Sequence, residues 1–285
     1  MSAKKVILSA DSSCDIGPEL KEKYDIPYFR FHILMGDGSY LDGLDLSSND
    51  IFSTYREKKC LPKTSAINVN EYYEEFKKWT DQGFEVVHIN LSSAISCAHQ
   101  NCCAAAAELP GVYPIDSRNL STGMGQLVVE AAKMAEQGME GAQIQTEICN
   151  LRGKVQTNFI LDTLEFLCAG GRCSMLSALG ANVLKLKPCI EVDNTSGTMS
   201  VGKKYRGNFE KVAIQYAKER FADVDSINPE RLFITHTLQS RELLESVYQY
   251  IRDMNIFKEI HITDAGCTIS SHCGPNTLGL VYLKK

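Results

Sequence analysis

A chain of 285 residues with a formal net charge of −5 exceeds the usual size of a single core, so two domains are the natural reading. The acidic balance argues against a nucleic-acid binder, which carries a basic excess, and the short cluster Lys203-Lys204-Tyr205-Arg206 reads as a solvated strand end. Apolar residues make up 44% and charged residues 23%, an ordinary soluble composition, and no run approaches the ~20 apolar residues of a membrane span.

Residues 4–10 (KKVILSA) predict a buried first strand, and Asp11-Ser12-Ser13 the turn after it. A helix follows over 18–24, opened by Pro18, then a strand over 28–35 that ends in the hairpin-type turn Gly36-Asp37-Gly38. Ser47 and Asp50 form a capping-box variant at the start of a helix over 47–59. The stretch "CLPKTSAIN" reads as a loop, and Tyr72, Phe76 and Trp79 mark one face of a helix over 71–79.

A strand over 84–91 runs into Ser92, Ser93 and Ser96, and an alanine-rich helix follows over 97–109. The pattern then gives a strand at 112–116 and a helix at 125–136. Strands alternating with helices indicate an α/β fold with a mostly parallel sheet covered on both faces. Beyond residue 155 the pattern changes to glycine-bearing strands and a hairpin. The hairpin covers 190–201 around "DNTSG", then come helix 207–222, strand 231–236, helix 240–252 and strand 259–264. The reading is therefore an N-terminal α/β domain at 1–155 and a second α/β domain at 156–285.

In parallel α/β sheets, ligands bind at the carboxyl ends of the strands. Three loops of the first domain qualify: 11–13, 62–67 with Thr64 and Ser65, and 92–96 with Ser92, Ser93 and Ser96. A helix start offers unpaired N–H groups and a partial positive charge, which suit an anion. Read singly, Ser96 is a helix cap and Thr64 a turn residue. "CAGGRCS" with Arg172 and "SSHCGPNTLG" with His272 are the remaining polar, glycine-rich loops. Read alone, Arg172 is a surface charge and His272 a satisfied core histidine. There is no P-loop, dinucleotide fingerprint, nucleophile elbow or His-Glu-x-x-His motif.

The 11 cysteines are scattered and include no Cys-x-x-Cys, which together with the lack of a signal-peptide pattern predicts a cytoplasmic protein with reduced thiols. Cys97, His99 and Cys102 lie within two helical turns. Without a second paired motif they read as small buried side chains, and no metal is expected.

Taken in order, "DSSCDI", "PKTSAIN", "LSSAISCAHQ", "VYPIDSRNLSTGMG", "GGRCS" and "HCGPNTLG" resemble the motif set of DegV-type fatty-acid-binding proteins over nearly the whole chain. The resemblance implies a two-domain fold holding one long-chain fatty acid, such as palmitate or oleate, in a tunnel between the domains. It also implies no catalysis of its own and no cofactor. The partner would be the separate ATP-binding subunit of a fatty acid kinase, with a role in lipid transport or fatty acid metabolism. Carried over residue by residue, Thr64 and Ser96 contact the carboxylate, and Ser65, Ser92, Ser93, Arg172 and His272 line the head-group end. The chain departs from the family pattern at Ala66-Ile67, Ala94, Cys97 and Asn276, which bears on loop geometry and acyl preference. The competing class is a small-molecule enzyme of phosphotransferase type using the same cleft.

Overall fold

β1 (Val6–Asp11) is the apolar opening strand, and it ends in a short 3-10 turn over Ser12–Cys14. The structure, a computed structural model, describes residues 5–172 and 186–285. α1 (Gly17–Lys23) has Pro18 in its first turn, where a missing N–H is harmless. The single strand predicted over 28–35 divides: β2 (Tyr28–Phe29) pairs with β1, whereas β3 (His32–Met35) turns away into a hairpin with β4 (Gly38–Leu41). α2 (Ser48–Lys58) opens on the expected capping box, with the Asp50 N–H donating to Ser47 Oγ at 3.3 Å and the Ser47 N–H donating to Asp50 at 2.9 Å. β5 (Lys63–Ser65) stands where the sequence predicts a loop, and it pairs antiparallel with β3. α3 (Val69–Thr80) carries a second capping box, Asn68 with Glu71.

β6 (Glu85–Asn90), α4 (Ala98–Ala106), β7 (Val112–Asp116) and α5 (Ser121–Glu136) follow in the predicted order. α6 (Gly141–Leu151) adds to the sequence reading. The chain then enters β8 (Val155–Leu161), α7 (Glu165–Ala169), β9 (Leu186–Val192) and β10 (Met199–Arg206), the last two forming the predicted hairpin. α8 (Phe209–Arg220), β11 (Ile227–His236), α9 (Arg241–Asp253) and β12 (Glu259–Asp264) follow. α10 (Cys267–Cys273) and β13 (Thr277–Lys284) close the chain, where the sequence suggests only a glycine-rich loop.

The first sheet is wholly parallel in the order β2-β1-β6-β7. Its central strands are buried on both faces, which is why they read as continuous apolar runs. The second sheet has the order β10-β9-β8-β13-β11-β12, antiparallel except for β11 and β12, which are joined through α9. The third is the small antiparallel sheet β4-β3-β5. The fold is the expected α/β class. Among the described residues no helix is long and apolar enough to cross a membrane.

α5 is the joint between the two large sheets. Met124, Leu127 and Val128 on it share one core with Val87 and Ile89 of the first sheet and with Phe233, Val281 and Leu283 of the second. Gln126 Nε2 reaches across to donate to the Val281 carbonyl at 3.2 Å. Such close packing on both sides requires small residues. A Cβ on Gly125 would lie 2.6 Å from the Cys14 carbonyl oxygen and 2.7 Å from Ile16 Cγ2.

Because the Cys14 carbonyl is backbone and cannot step aside, Gly125→Ala should destabilise the protein by about 1–3 kcal/mol despite alanine's better helix propensity. Gly153→Ala, which meets nothing within 4 Å, is the control and should be near neutral. Urea denaturation of both variants decides the matter, and equal midpoints would contradict this account of α5.

Candidate functional site

Where the second sheet, α10 and the small antiparallel sheet meet, the fold forms a cavity of about 330 Å³, within the range of small-molecule pockets. Its walls are largely apolar, with Phe31, Leu91, Ile95, Phe159, Met199 and Ile269 among them. Alternation along β13 turns Thr277, Gly279 and Val281 to the cavity and sends Leu278 and Leu280 into the core beneath α8 and α9. Gly279 pairs with Phe159 on one side and with Thr235 on the other, and both flank the cavity. Its missing side chain widens the floor.

One end of this cavity is polar. Thr64 on β5 and His272 on α10, 208 positions apart, are joined by Thr64 Oγ1 and His272 Nε2 at 2.8 Å. Burial, and then the charge of Arg172, lowers the His272 pKa from 6.5 to about 4, so the ring is neutral at physiological pH. Its Nδ1 has no hydrogen-bond partner among the described residues. The ring packs on Gly170, where a Cβ would sit 2.2 Å from Nδ1. Arg172 donates to the Gly170 carbonyl at 2.7 Å and to the Ile95 carbonyl at 3.0 Å. The guanidinium thus ties the end of α7 to the serine turn, and neither contact is an ion pair. Ser96 lies in that turn and lines the cavity. Its oxygen accepts the Ala98 N–H at 3.2 Å, which leaves its proton to donate.

The structure therefore brings Thr64, Ser65, Ser96, Arg172 and His272 to one cavity. Thr64 and Ser65 arrive on an antiparallel strand, not on a loop at the end of a parallel one. Ser92 and Ser93 are not brought there, a correction to the head-group assignment. Ser92 is buried and donates to the Gly197 carbonyl at 2.8 Å, fastening the turn to the β9–β10 hairpin. Ser93 is exposed and donates to Asp116 at 2.6 Å. Three serines in one turn thus do three jobs, and only Ser96 faces the cavity. Ser96 is not the helix cap either, since Cys97 takes that position without a side-chain hydrogen bond.

Buried carboxylates hold these pieces in place. Asp11, at the end of β1, accepts from Tyr72 Oη at 2.6 Å, from the Leu91 N–H at 2.8 Å and from Asn90 Nδ2 at 3.3 Å, and pairs with His88 Nε2 at 3.0 Å. His88 Nδ1 in turn meets Ser9 Oγ at 2.8 Å. This serine-histidine-aspartate chain is fully buried beneath Phe29, Tyr72 and Phe76, and none of the three lines the cavity, so it serves as scaffold. At α10 the first N–H groups are taken by Asp15 (Gly266 N–H, 3.0 Å) and Asp42 (Cys267 N–H, 2.8 Å). By accepting these N–H groups the two side chains fix the helix that carries His272. Burial raises the Asp15 pKa well above the usual carboxylate range.

Among the described residues no group of three or more His, Cys, Asp or Glu could hold a metal ion. His99 instead meets Asn90 Oδ1 at 3.1 Å and the Cys103 sulfur at 3.5 Å. Cys102 is free and buried, as the sequence predicts; Cys97 is free but exposed, against the buried reading, and Cys168 is disulfide-bonded, against the reduced-thiol reading. Cys173 and Ser174, which end the "CAGGRCS" run, lie outside the described residues.

A parallel sheet and a six-stranded mixed sheet joined by one helix, with a cavity beside them, define a two-sheet α/β class. The chain belongs to the DegV family: the model of that family, described as uncharacterised, matches residues 5–285. A DegV domain-containing protein of Clostridium perfringens is 29% identical over 283 residues, 99% of each chain. The structure of a DegV family protein from Thermus thermophilus, described as binding fatty acid, superposes with a TM-score of 0.89 at 23% identity, covering 99% of this chain and 100% of that one. That of DegV from Bacillus subtilis, described as a fatty acid binding protein, gives 0.86 at 22% identity with the same coverage.

The state of His272 has a consequence for stability. The unfolded chain takes up a proton near 6.5, the folded protein only near 4, so between those values the unfolded state holds more protons and stability falls as pH falls. His272→Gln removes that proton difference. Across the window the parent should lose about 3 kcal/mol more than the variant. Urea midpoints at pH 7, 5.5 and 4.5 check this, and parallel pH profiles would contradict it.

Proposed function

We propose that the protein binds one long-chain fatty acid, such as palmitate or oleate, and presents its carboxylate to the ATP-binding subunit of a fatty acid kinase. The observation that carries this reading is an apolar cavity that ends on neutral hydroxyl and imidazole donors. Burying methylenes at ~0.8 kcal/mol each gives a long acyl chain on the order of 10 kcal/mol before binding costs. The carboxylate that follows it must keep hydrogen-bond partners, because desolvation would otherwise cancel much of that gain. Relatives of the same fold described as binding fatty acid support the reading.

The head-group contacts assign themselves by proton count. If His272 Nε2–H donates to Thr64 Oγ1, the Thr64 hydroxyl keeps its own proton for the carboxylate. The opposite arrangement would turn an oxygen lone pair toward an anion, so a bound carboxylate selects the first. Ser96 supplies the second donor. Arg172 is already committed to two carbonyls and contributes charge at close range without a direct clamp. That suits a carboxylate that must later attack phosphorus, because a tight ion pair would stabilise its ground state. In this reading residues 1–155 supply Thr64 and Ser96, and residues 156–285 cover the acyl chain and add Arg172 and His272.

Organic extraction and mass spectrometry of the purified protein should recover one fatty acid per chain. Thr64→Ala and Ser96→Ala should each weaken palmitate binding by about 1–3 kcal/mol. Gly279→Leu should abolish binding while leaving the fold intact, because a Cβ there meets its neighbours at an ordinary 3.5–3.6 Å and only the cavity is filled. Absence of lipid in the parent, with no uptake of palmitate or oleate, would sink the proposal. For presentation, mixing the loaded protein with a fatty acid kinase ATP-binding subunit and ATP should yield acyl phosphate. Consumption of ATP by the protein alone would favour the enzyme class instead.

A further inference from the structure

A cavity built only for a hydrocarbon tail would be apolar away from its head-group end, and this one is not. The direction of the cavity can be followed along β13. The Thr277 hydroxyl donates to the carbonyl of Cys273, the neighbour of His272, so Thr277 marks the head-group end. Val281 is four residues further along the same strand face, about 13 Å away at the rise of a strand. Its partner across the sheet is Thr157, which also lines the cavity and is 5% exposed. Thr157 Oγ1 lies over Gly123 of α5, 2.2 Å from where a Cβ would stand, and has no hydrogen-bond partner among the described residues.

Part-way along, in the row of Gly279, a second hydroxyl group of residues appears. Thr122 Oγ1 meets Thr235 Oγ1 at 2.5 Å, and Thr235 Oγ1 meets Thr263 Oγ1 at 3.1 Å. Thr122 and Thr235 both line the cavity. Three hydroxyls joined by two hydrogen bonds leave one proton without an acceptor among the described residues. Against a plain methylene chain these donors stay buried and unpaired, which costs free energy on binding.

We propose that the cavity is a site for an oxygenated fatty acid, one whose acyl chain carries a hydroxyl or keto oxygen that accepts from the Thr122–Thr235 pair or from Thr157. The inference rests on the fatty-acid reading above and specifies its ligand class. Threonine rather than valine at Thr157 and Thr235 is then a specificity device. Both positions sit in strands, where valine packs as well and would favour an unsubstituted tail.

The test is a binding titration of octadecanoate against a positional series of hydroxyoctadecanoates, with the parent, Thr157→Val and Thr235→Val. In the parent at least one isomer should bind about fivefold or more tightly than octadecanoate, the gain of one buried hydrogen bond. At least one valine variant should reverse that order, tightening octadecanoate and weakening the favoured isomer. Retained octadecanoate binding shows that each variant is folded. A parent that binds octadecanoate more tightly than every isomer overturns the inference and leaves the fatty-acid reading standing. So does a preference that survives both valine substitutions. If neither octadecanoate nor any isomer binds the parent, both readings fall.

Discussion

The carboxylate of Asp11 is buried completely at the end of the first strand, and the geometry of the cavity depends on it. A charge taken out of water must be compensated by hydrogen bonds, or the fold pays several kcal/mol. Here the compensation comes from two separate parts of the chain: Tyr72 on α3, and β6 with its end, through His88, Asn90 and the Leu91 amide. The carboxylate therefore fixes the point at which the first sheet stops and the serine turn starts. Once Leu91 is fixed, Ser92 locks the turn to the hairpin of the second sheet and Ser96 falls at the cavity wall. The same device recurs at α10, where Asp15 and Asp42 seize the first amides of the helix and so set the depth of His272.

The polar end that results holds neutral donors close to one committed cation. His272 is kept neutral by burial and by Arg172, and Arg172 spends two of its N–H donors on backbone carbonyls. A fully charged pocket would hold a carboxylate more tightly and leave it less reactive. An apolar one would exclude it. Under the proposed function, hydroxyls around a neutral imidazole would occupy the middle ground between the two.

The local signals in the chain were legible because they are local. The Ser47–Asp50 box, the turn at Gly36-Asp37 and the apolar face of α3 all appear where the sequence puts them. So does the alternation of strands and helices that gives the α/β class. What stayed hidden depends on partners far away in sequence. A serine hydroxyl that caps, bridges or faces a ligand looks the same in a one-dimensional reading, so Ser92, Ser93 and Ser96 could not be told apart. β5 is a three-residue strand whose partner decides its existence. α10 is seven residues long, polar in composition and held by carboxylates from the other half of the chain. One signal was available and not read: "STGMGQ" places two glycines in a helix, which is costly unless something packs against them. Both sides of α5 do.

The central claim is that one end of the cavity receives a carboxylate through Thr64 and Ser96 while the acyl chain runs along β13 past Gly279. A crystal structure of the protein with hexadecanoate tests it most directly. The account predicts continuous density for the chain over Gly279, with carboxylate oxygens about 2.6–3.0 Å from Thr64 Oγ1 and Ser96 Oγ. An empty cavity in crystals of a protein shown to bind hexadecanoate, or a chain whose carboxylate lies at the Thr157 end, would contradict it.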